Sequence, residues 1–202
     1  MADAPPVILA SRSPARARLL RAAGVEITQL EAAIDEVGVR DGLRAEGVQA
    51  DDIAVILAEL KARRVADQVG PGAIVLGSDS IVDVDGEWPE KPMDRAAARA
   101  QLLRLRGRRH RLVSAAVAFR NGVRVWHHVE VASVWVRPFS DAFLEQYLDA
   151  AGTEVLGSVG AYHLEGLGAQ LMARVDGDFF TVQGLPLLPV LQFLRDQGAL
   201  TT

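Results

Sequence analysis

Cysteine is absent from the 202 residues, and lysine nearly so: of 22 basic side chains only Lys61 and Lys91 are lysines, the rest being arginine. The first absence excludes disulfides, thiolate metal sites and a cysteine nucleophile, and it suits a reducing, cytoplasmic setting. The second marks positions rather than excluding a chemistry. Lysine is a compact point charge with rotatable donors, whereas arginine presents a broad planar fork. A chain that writes almost every cation as arginine therefore singles out two places where a small ammonium is wanted. Chance placement on the surface is the competing reading, weakened because both lysines adjoin apolar segments. Long hydrophobic runs are also missing, so no membrane span is expected, and residues 1–6 lack the basic and apolar regions of a signal peptide. Excess positive charge is missing too. A net charge of −4 argues against a nucleic-acid polymer or an anionic membrane as main partner, since both select basic surfaces, and leaves a small anionic ligand open.

What remains is an ordinary globular composition, 50% hydrophobic and 24% charged, expected to fold as one domain over residues 1–202 with one core or two small lobes. The chain is organised around Ile74-Val75-Leu76-Gly77-Ser78-Asp79-Ser80-Ile81-Val82. Strand-forming residues stop at Gly-Ser, set down one carboxylate and resume, which places Asp79 at a strand edge or kink rather than on a solvated loop. An Asp85-Gly86 turn reads as a hairpin, after which Lys91 precedes a proline that makes its backbone extended. Asp79 and Lys91 could face each other across it.

Upstream, Pro6–Ala10 reads as a buried strand running into a helix capped by Ser13 with Pro14 at its first position. Such a junction offers free N–H groups and a positive dipole end to a phosphate, with Arg12, Arg16 and Arg18 close by; plain capping with solvated arginines is the alternative. Gly24 ends this helix and Glu26–Leu30 reads as a second strand. The Asp35-Glu36 pair after it could hold a divalent cation or form a solvated turn. A polar stretch expected to be loop follows, and then a long helix capped by Asp51 or Asp52 with Ile53, Ile56, Leu57 and Leu60 on one face. Lys61 falls about 40° from Leu57 on the 3.6-residue period, at the border of that face.

Downstream, a helix over Arg95–Leu105 ends at Gly107 in a cluster of arginines with His110, which reads most simply as a solvated helix terminus. Leu112–Phe119 and Val123–Val136 flank Asn121-Gly122, a pair favoured in type I′ turns, and form the clearest hairpin. Ser140 or Asp141 caps a helix ended by Gly152. Gly157, Gly160, Gly166 and Gly168 surround Glu165, suiting either close approach to a ligand or turns between short strands. Gly184-Leu185-Pro186 opens a last amphipathic helix with proline in its first turn.

Together, Leu9-Ala10-Ser11-Arg12-Ser13-Pro14-Ala15-Arg16, Asp35-Glu36, Lys61-Ala62, Gly77-Ser78-Asp79-Ser80, Glu90-Lys91-Pro92, Gly107 through His110, Gly166-Leu167-Gly168 and Gly184-Leu185-Pro186 resemble the Maf family in order and spacing from about residue 7 to 198. The resemblance implies metal-dependent nucleoside triphosphate pyrophosphatases, which release pyrophosphate and leave the monophosphate. It also implies an α/β fold with an extended mixed sheet, two lobes around a deep cleft, and a homodimer. The family's functional residues fall on Ser11, Arg16, Glu36, Lys61, Asp79, Lys91 and Glu165, so both lysines are among them. Two departures stand out: Ala15 replaces the first of two arginines after Ser-x-Ser-Pro, and Ser80 replaces a residue that is often Gln or Thr. Glu165, in its Glu-Gly-Leu-Gly setting, resembles the branch acting on 7-methyl-GTP rather than the dTTP and UTP branch, which carries Gln there. A nucleotide-binding regulator of septum formation without turnover is a further alternative.

On this reading Asp79 and Glu36 hold Mg²⁺ or Mn²⁺ and orient or deprotonate water. Lys61 and Lys91 neutralise the triphosphate, while Arg16 and the free amides of the Ser13 helix clamp its terminal phosphates, with Ser11, Ser13 and Glu165 also expected to bind substrate. A kinase has no support, because no Gly-x-x-x-x-Gly-Lys-[Ser/Thr] loop is present.

Overall fold

The computed structural model describes residues 4–201. Among them six strands form a mixed sheet in the order β2-β1-β3-β4-β5-β6, flanked by helices. The strands are β1 (Val7–Ala10), β2 (Ile27–Leu30), β3 (Ile74–Asp83), β4 (Arg109–Arg120), β5 (Val123–Val136) and β6 (Met172–Asp176). The chain divides into two compact units. One comprises the residues up to Ile81, Val113–Glu130 and those from Gln183 onward; the other comprises Val82–Leu112 and Val131–Val182.

The first unit is built on parallel pairing. β1 pairs in parallel with β2, from Val7↔Ile27 to Ala10↔Leu30, and with β3, from Val7↔Ile74 to Ala10↔Gly77. Parallel neighbours require crossover helices. These are α1 (Pro14–Ala22) between β1 and β2, and α2 (Glu36–Ala45) with α3 (Ala50–Ala66) between β2 and β3. Ser13 caps α1 as expected, its hydroxyl accepting from the Arg16 amide at 3.4 Å with Pro14 following. The helix α7 (Leu187–Asp196) closes this unit. Its N-cap is Pro186, with Pro189 in the first turn.

Three expectations for this unit need correction. The stretch after Asp35-Glu36 is the helix α2, whose N-cap is Asp35, accepting from the Gly38 amide at 3.0 Å. It was hidden because Gly38 and Gly42 interrupt it and its apolar stripe is short, only the half-buried pair Val39 and Leu43. The cap of α3 is Gln49, without a side-chain bond, and Asp51 and Asp52 lie in the first turn, where their charge suits the dipole. The fully buried face of α3 is Ile53, Ala54, Leu57, Ala58, Lys61, Ala62 and Val65, with Ile56 and Leu60 only half-buried. Finally, β3 does not break at Gly-Ser: it runs unbroken through Asp79, which stands inside a central strand.

The second unit has its own core, in which Leu102, Ala132, Val134, Leu144 and Leu171 are fully buried. Its helices are α4 (Arg95–Leu105), capped by Asp94, α5 (Asp141–Ala151), capped by Ser140, and the short α6 (Phe179–Val182). The expected hairpin at Asp85-Gly86 reduces to a single bridge, Val84 and Glu87 exchanging backbone bonds of 2.9 and 3.0 Å around a turn with both φ angles positive. Glu90, Lys91 and Pro92 lie outside any strand, and Lys91 is exposed. The glycine-rich segment holds two 3₁₀ turns, Gly152–Gly157 and Leu167–Leu171, rather than short strands. In the first unit, the turn at Asn121-Gly122 joining β4 to β5 is as expected, with φ of 53° and 76°.

His110 belongs to this core rather than to a solvated terminus. It is 1% exposed, and its Nε2 lies 2.7 Å from the Tyr162 hydroxyl while its Nδ1 has no hydrogen-bond partner. Burial pulls its pKa down to about 4.

Candidate active site

β1 ends at Ala10, opposite Gly77, while β3 continues through Ser78, Asp79 and Ser80. The segment therefore stands beyond the carboxyl end of a parallel strand, where α/β sheets bind ligands. Alternation along β3 puts Gly77 and Asp79 on one face and Ser78 and Ser80 on the other. Each face meets a different helix.

On the Gly77 face lies α3. A Cβ built on Gly77 would come within 2.0 Å of the Ala58 carbonyl oxygen and 2.9 Å of the Ala62 Cβ, so only glycine lets the helix approach this closely. Lys61, between those two contacts, is thereby brought against Asp79. Its Nζ lies 2.7 Å from Asp79 Oδ1 and 2.6 Å from Glu36 Oε2. Lys61 and Asp79 are buried, while Glu36, at the first position of α2, keeps a half-exposed side chain.

Removing a carboxylate from water disfavours its charged form. Burial accordingly drives the Asp79 carboxyl upward, opposed by Lys61 and Arg16 and assisted by Glu36. Two carboxylates thus converge on one ammonium, with more negative than positive charge in the triad.

On the other face Arg16 is buried and reaches under the strand. Its guanidinium donates to Gly184 O (2.8 Å), Ser11 Oγ (3.2 Å), Ser78 O (2.9 Å) and Ser80 Oγ (3.0 Å). Ser11 Oγ also accepts from the Ser13 amide at 3.2 Å. Arg12 turns outward to Glu31, and Arg18 is exposed.

Among the residues expected at a site, the structure therefore gathers Ser11, Ser13, Arg16, Glu36, Lys61 and Asp79 in one unit. Lys91 and Glu165 belong to the other. Glu165 Oε1 stands 3.8 Å from His163 Nδ1, while His163 Nε2 lies 3.1 Å from the Glu154 carbonyl oxygen. Sequence reasoning missed Ser78, Ser114 and the Gly184 carbonyl, all of which join the Arg16 network. The signal available was the serine alternation 78, 80 beside a lone aspartate.

Among the described residues no group of three or more His, Asp or Glu converges as a metal cluster. The donor chemistry of Asp79 with Glu36 nevertheless fits a hard cation of the Mg²⁺ kind, which is commonly held by one or two carboxylates while water and substrate phosphates complete its shell.

A family model described as Maf-like protein matches residues 6–197. A nucleoside triphosphate pyrophosphatase of Paramagnetospirillum magneticum is 54% identical, over 96% of this chain and 99% of that protein. One from Rhodospirillum rubrum is 51% identical, over 97% and 96%. A protein of Mesorhizobium japonicum named 7-methyl-GTP pyrophosphatase is 43% identical, over 96% and 97%.

Proposed function

This chain belongs to the Maf-like protein family, and from that premise we propose that it hydrolyses the α–β anhydride of a nucleoside triphosphate to the monophosphate and pyrophosphate. The observation that carries the reading is the buried Lys61 ammonium held between Asp79 and Glu36 beside the end of β1. In the reaction a water oxygen bonds to one phosphorus of the anhydride while the bridging oxygen leaves with the other. Asp79 takes the water's proton, a role for which a carboxyl raised by desolvation is suited. Lys61 balances negative charge as it grows on the phosphate oxygens, and Lys91 adds a second positive charge to the substrate. Asp79 and Glu36 would hold Mg²⁺ or Mn²⁺, which supplies further charge neutralisation when bound.

The preferred base on this reading is 7-methylguanine. Guanine shows two adjacent donors, N1–H and the 2-amino group, and a carboxylate such as Glu165 can accept both. Uracil shows one donor and one acceptor, which a glutamine amide answers better. Methylation at N7 adds positive charge, which also favours an anion. Incubating the protein with 7-methyl-GTP, GTP, UTP and dTTP plus Mn²⁺, and measuring pyrophosphate, tests both levels. The expected result is pyrophosphate release fastest from 7-methyl-GTP, with Glu165→Gln narrowing the gap to UTP. A tenfold lead for UTP and dTTP would overturn the base assignment, and release of orthophosphate alone would overturn the reaction.

A further inference from the structure

Arg16 carries five N–H groups, and four of them are spent on acceptors within the protein. A phosphate clamp works differently, presenting two parallel donors of the fork to one anion. Two of the four acceptors, Ser78 O and Ser80 Oγ, bracket Asp79 on the strand. A third, the Gly184 carbonyl, also accepts from Ser78 Oγ at 3.3 Å and Ser80 Oγ at 3.1 Å, so three donors converge on one oxygen. Gly184 has φ of +95°, and a Cβ there would meet Ser80 Oγ at 3.2 Å, so the loop before α7 can come this close only as glycine. The hydroxyl pair Ser80–Ser114, 3.0 Å apart, completes the set on β4. Ser80 is fully used: its hydroxyl donates to Gly184 O and accepts from Arg16 and Ser114.

We infer that Arg16 is a positioning residue: with Ser80 and the Gly184 carbonyl it fixes the β3 backbone on both sides of Asp79, so that the carboxylate stays against Lys61. This departs from the phosphate-clamp role that the family resemblance implies. Its kinetic consequences rest on the pyrophosphatase reading; its structural ones do not. Lysine cannot substitute, because an ammonium has three donors and no planar fork to span four acceptors in different directions. Ser80 and Arg16 act as one unit, since loss of either opens the same contact.

The test compares Arg16→Lys, Ser80→Ala and the double variant with the unaltered protein. Arg16→Lys is expected to lower kcat about 30-fold or more and Ser80→Ala about threefold to tenfold, each leaving KM within about threefold, the pattern of lost transition-state geometry. The double variant should be no worse than Arg16→Lys by more than about twofold, the non-additivity of one network. Two measurements need no turnover. Amide hydrogen exchange at residues 78–80 and 184 should quicken in both single variants, and affinity for inorganic tripolyphosphate should stay within about threefold. If Arg16→Lys does not fold, Ser80→Ala is read by the same kcat, KM and exchange criteria. A KM or tripolyphosphate Kd raised tenfold with kcat retained, or unchanged exchange, overturns the inference. Absence of pyrophosphate release by the unaltered protein would sink the proposed function alone, and exchange would still judge Arg16.

Discussion

Asp79 owes its chemistry to what surrounds it: burial that favours the neutral carboxyl, and two cations, Lys61 and Arg16, that hold the charged form. Replacing it with asparagine keeps the shape and one acceptor but removes the site that takes a proton. Asp79→Asn is expected to remain folded by circular dichroism while pyrophosphate release falls by at least about a hundredfold, the scale of a lost general base. Near-normal release would remove Asp79 from the mechanism. Lys61 tests the composition argument directly. Its ammonium fits between two carboxylates at 2.7 and 2.6 Å, a space into which a guanidinium cannot place one nitrogen against both without moving α3. Lys61→Arg should cost at least about tenfold in kcat/KM, whereas Arg195→Lys on α7, outside the network, should change it by less than about twofold. Equal behaviour of the two swaps in the pyrophosphate assay would make the rarity of lysine an accident. The pair of lysines was legible from counting alone, but their difference was not: Lys61 is buried and Lys91 exposed. Helical periodicity placed Lys61 at the border of the apolar face, and only the missing Cβ of Gly77 carries it inside.

The elements that sequence could name were those whose signals are local. Ser13-Pro14 and Ser140 announce their helices through a side chain bonding an amide three residues on, and Asn121-Gly122 announces a hairpin through its φ angles. The helix α2 was silent because two glycines dilute its pattern and its apolar stripe is only Val39 and Leu43, both half-buried. Equally hidden was the packing of α3 on β3, which depends on residues 15 to 19 positions apart touching as backbone. Gly77→Ala probes that contact. The new methyl group would overlap the Ala58 carbonyl oxygen, which is backbone and cannot rotate away, so α3 must shift. Overpacking of this kind costs about 1–3 kcal/mol, more where backbone has to move. A fall of at least about 2 kcal/mol in urea-unfolding free energy is expected, together with loss of activity because Lys61 rides on the displaced helix. A variant as stable and active as its parent would mean that the helix has slack to give.

At the scale of the whole molecule, the division into two units was beyond local reading, since the first is assembled from three separate stretches of chain and the second from two. Their buried charges differ in kind. The first unit holds a network of partnered ions, whereas the second holds one neutral imidazole, His110, against Tyr162, with Nδ1 unpartnered. The tyrosines there stay protonated, since burial pushes Tyr147 up to about 12 and Tyr162 further, which leaves His110 as the core group able to titrate in mild acid. Its pKa is lowered from 6.5 to about 4 by burial. As pH falls the unfolded chain takes up this proton first, so the stabilising contribution is full above about pH 6.5 and is lost progressively toward pH 4. The difference amounts to about 3 kcal/mol at the lower end. Asp79 works in the opposite sense, because its raised folded pKa lets the folded state bind its proton first as the pH drops. The two can be separated by measuring urea-unfolding free energy from pH 7 to pH 4 for the unaltered protein and His110→Gln, an uncharged replacement able to bond Tyr162. The variant is expected to start lower at pH 7 and to lose stability less steeply with acid, and slow-exchanging amides on β4 and β5 near Leu112 and Val134 should report the same change. Parallel curves for the two proteins would show that His110 does not govern the acid sensitivity of this core.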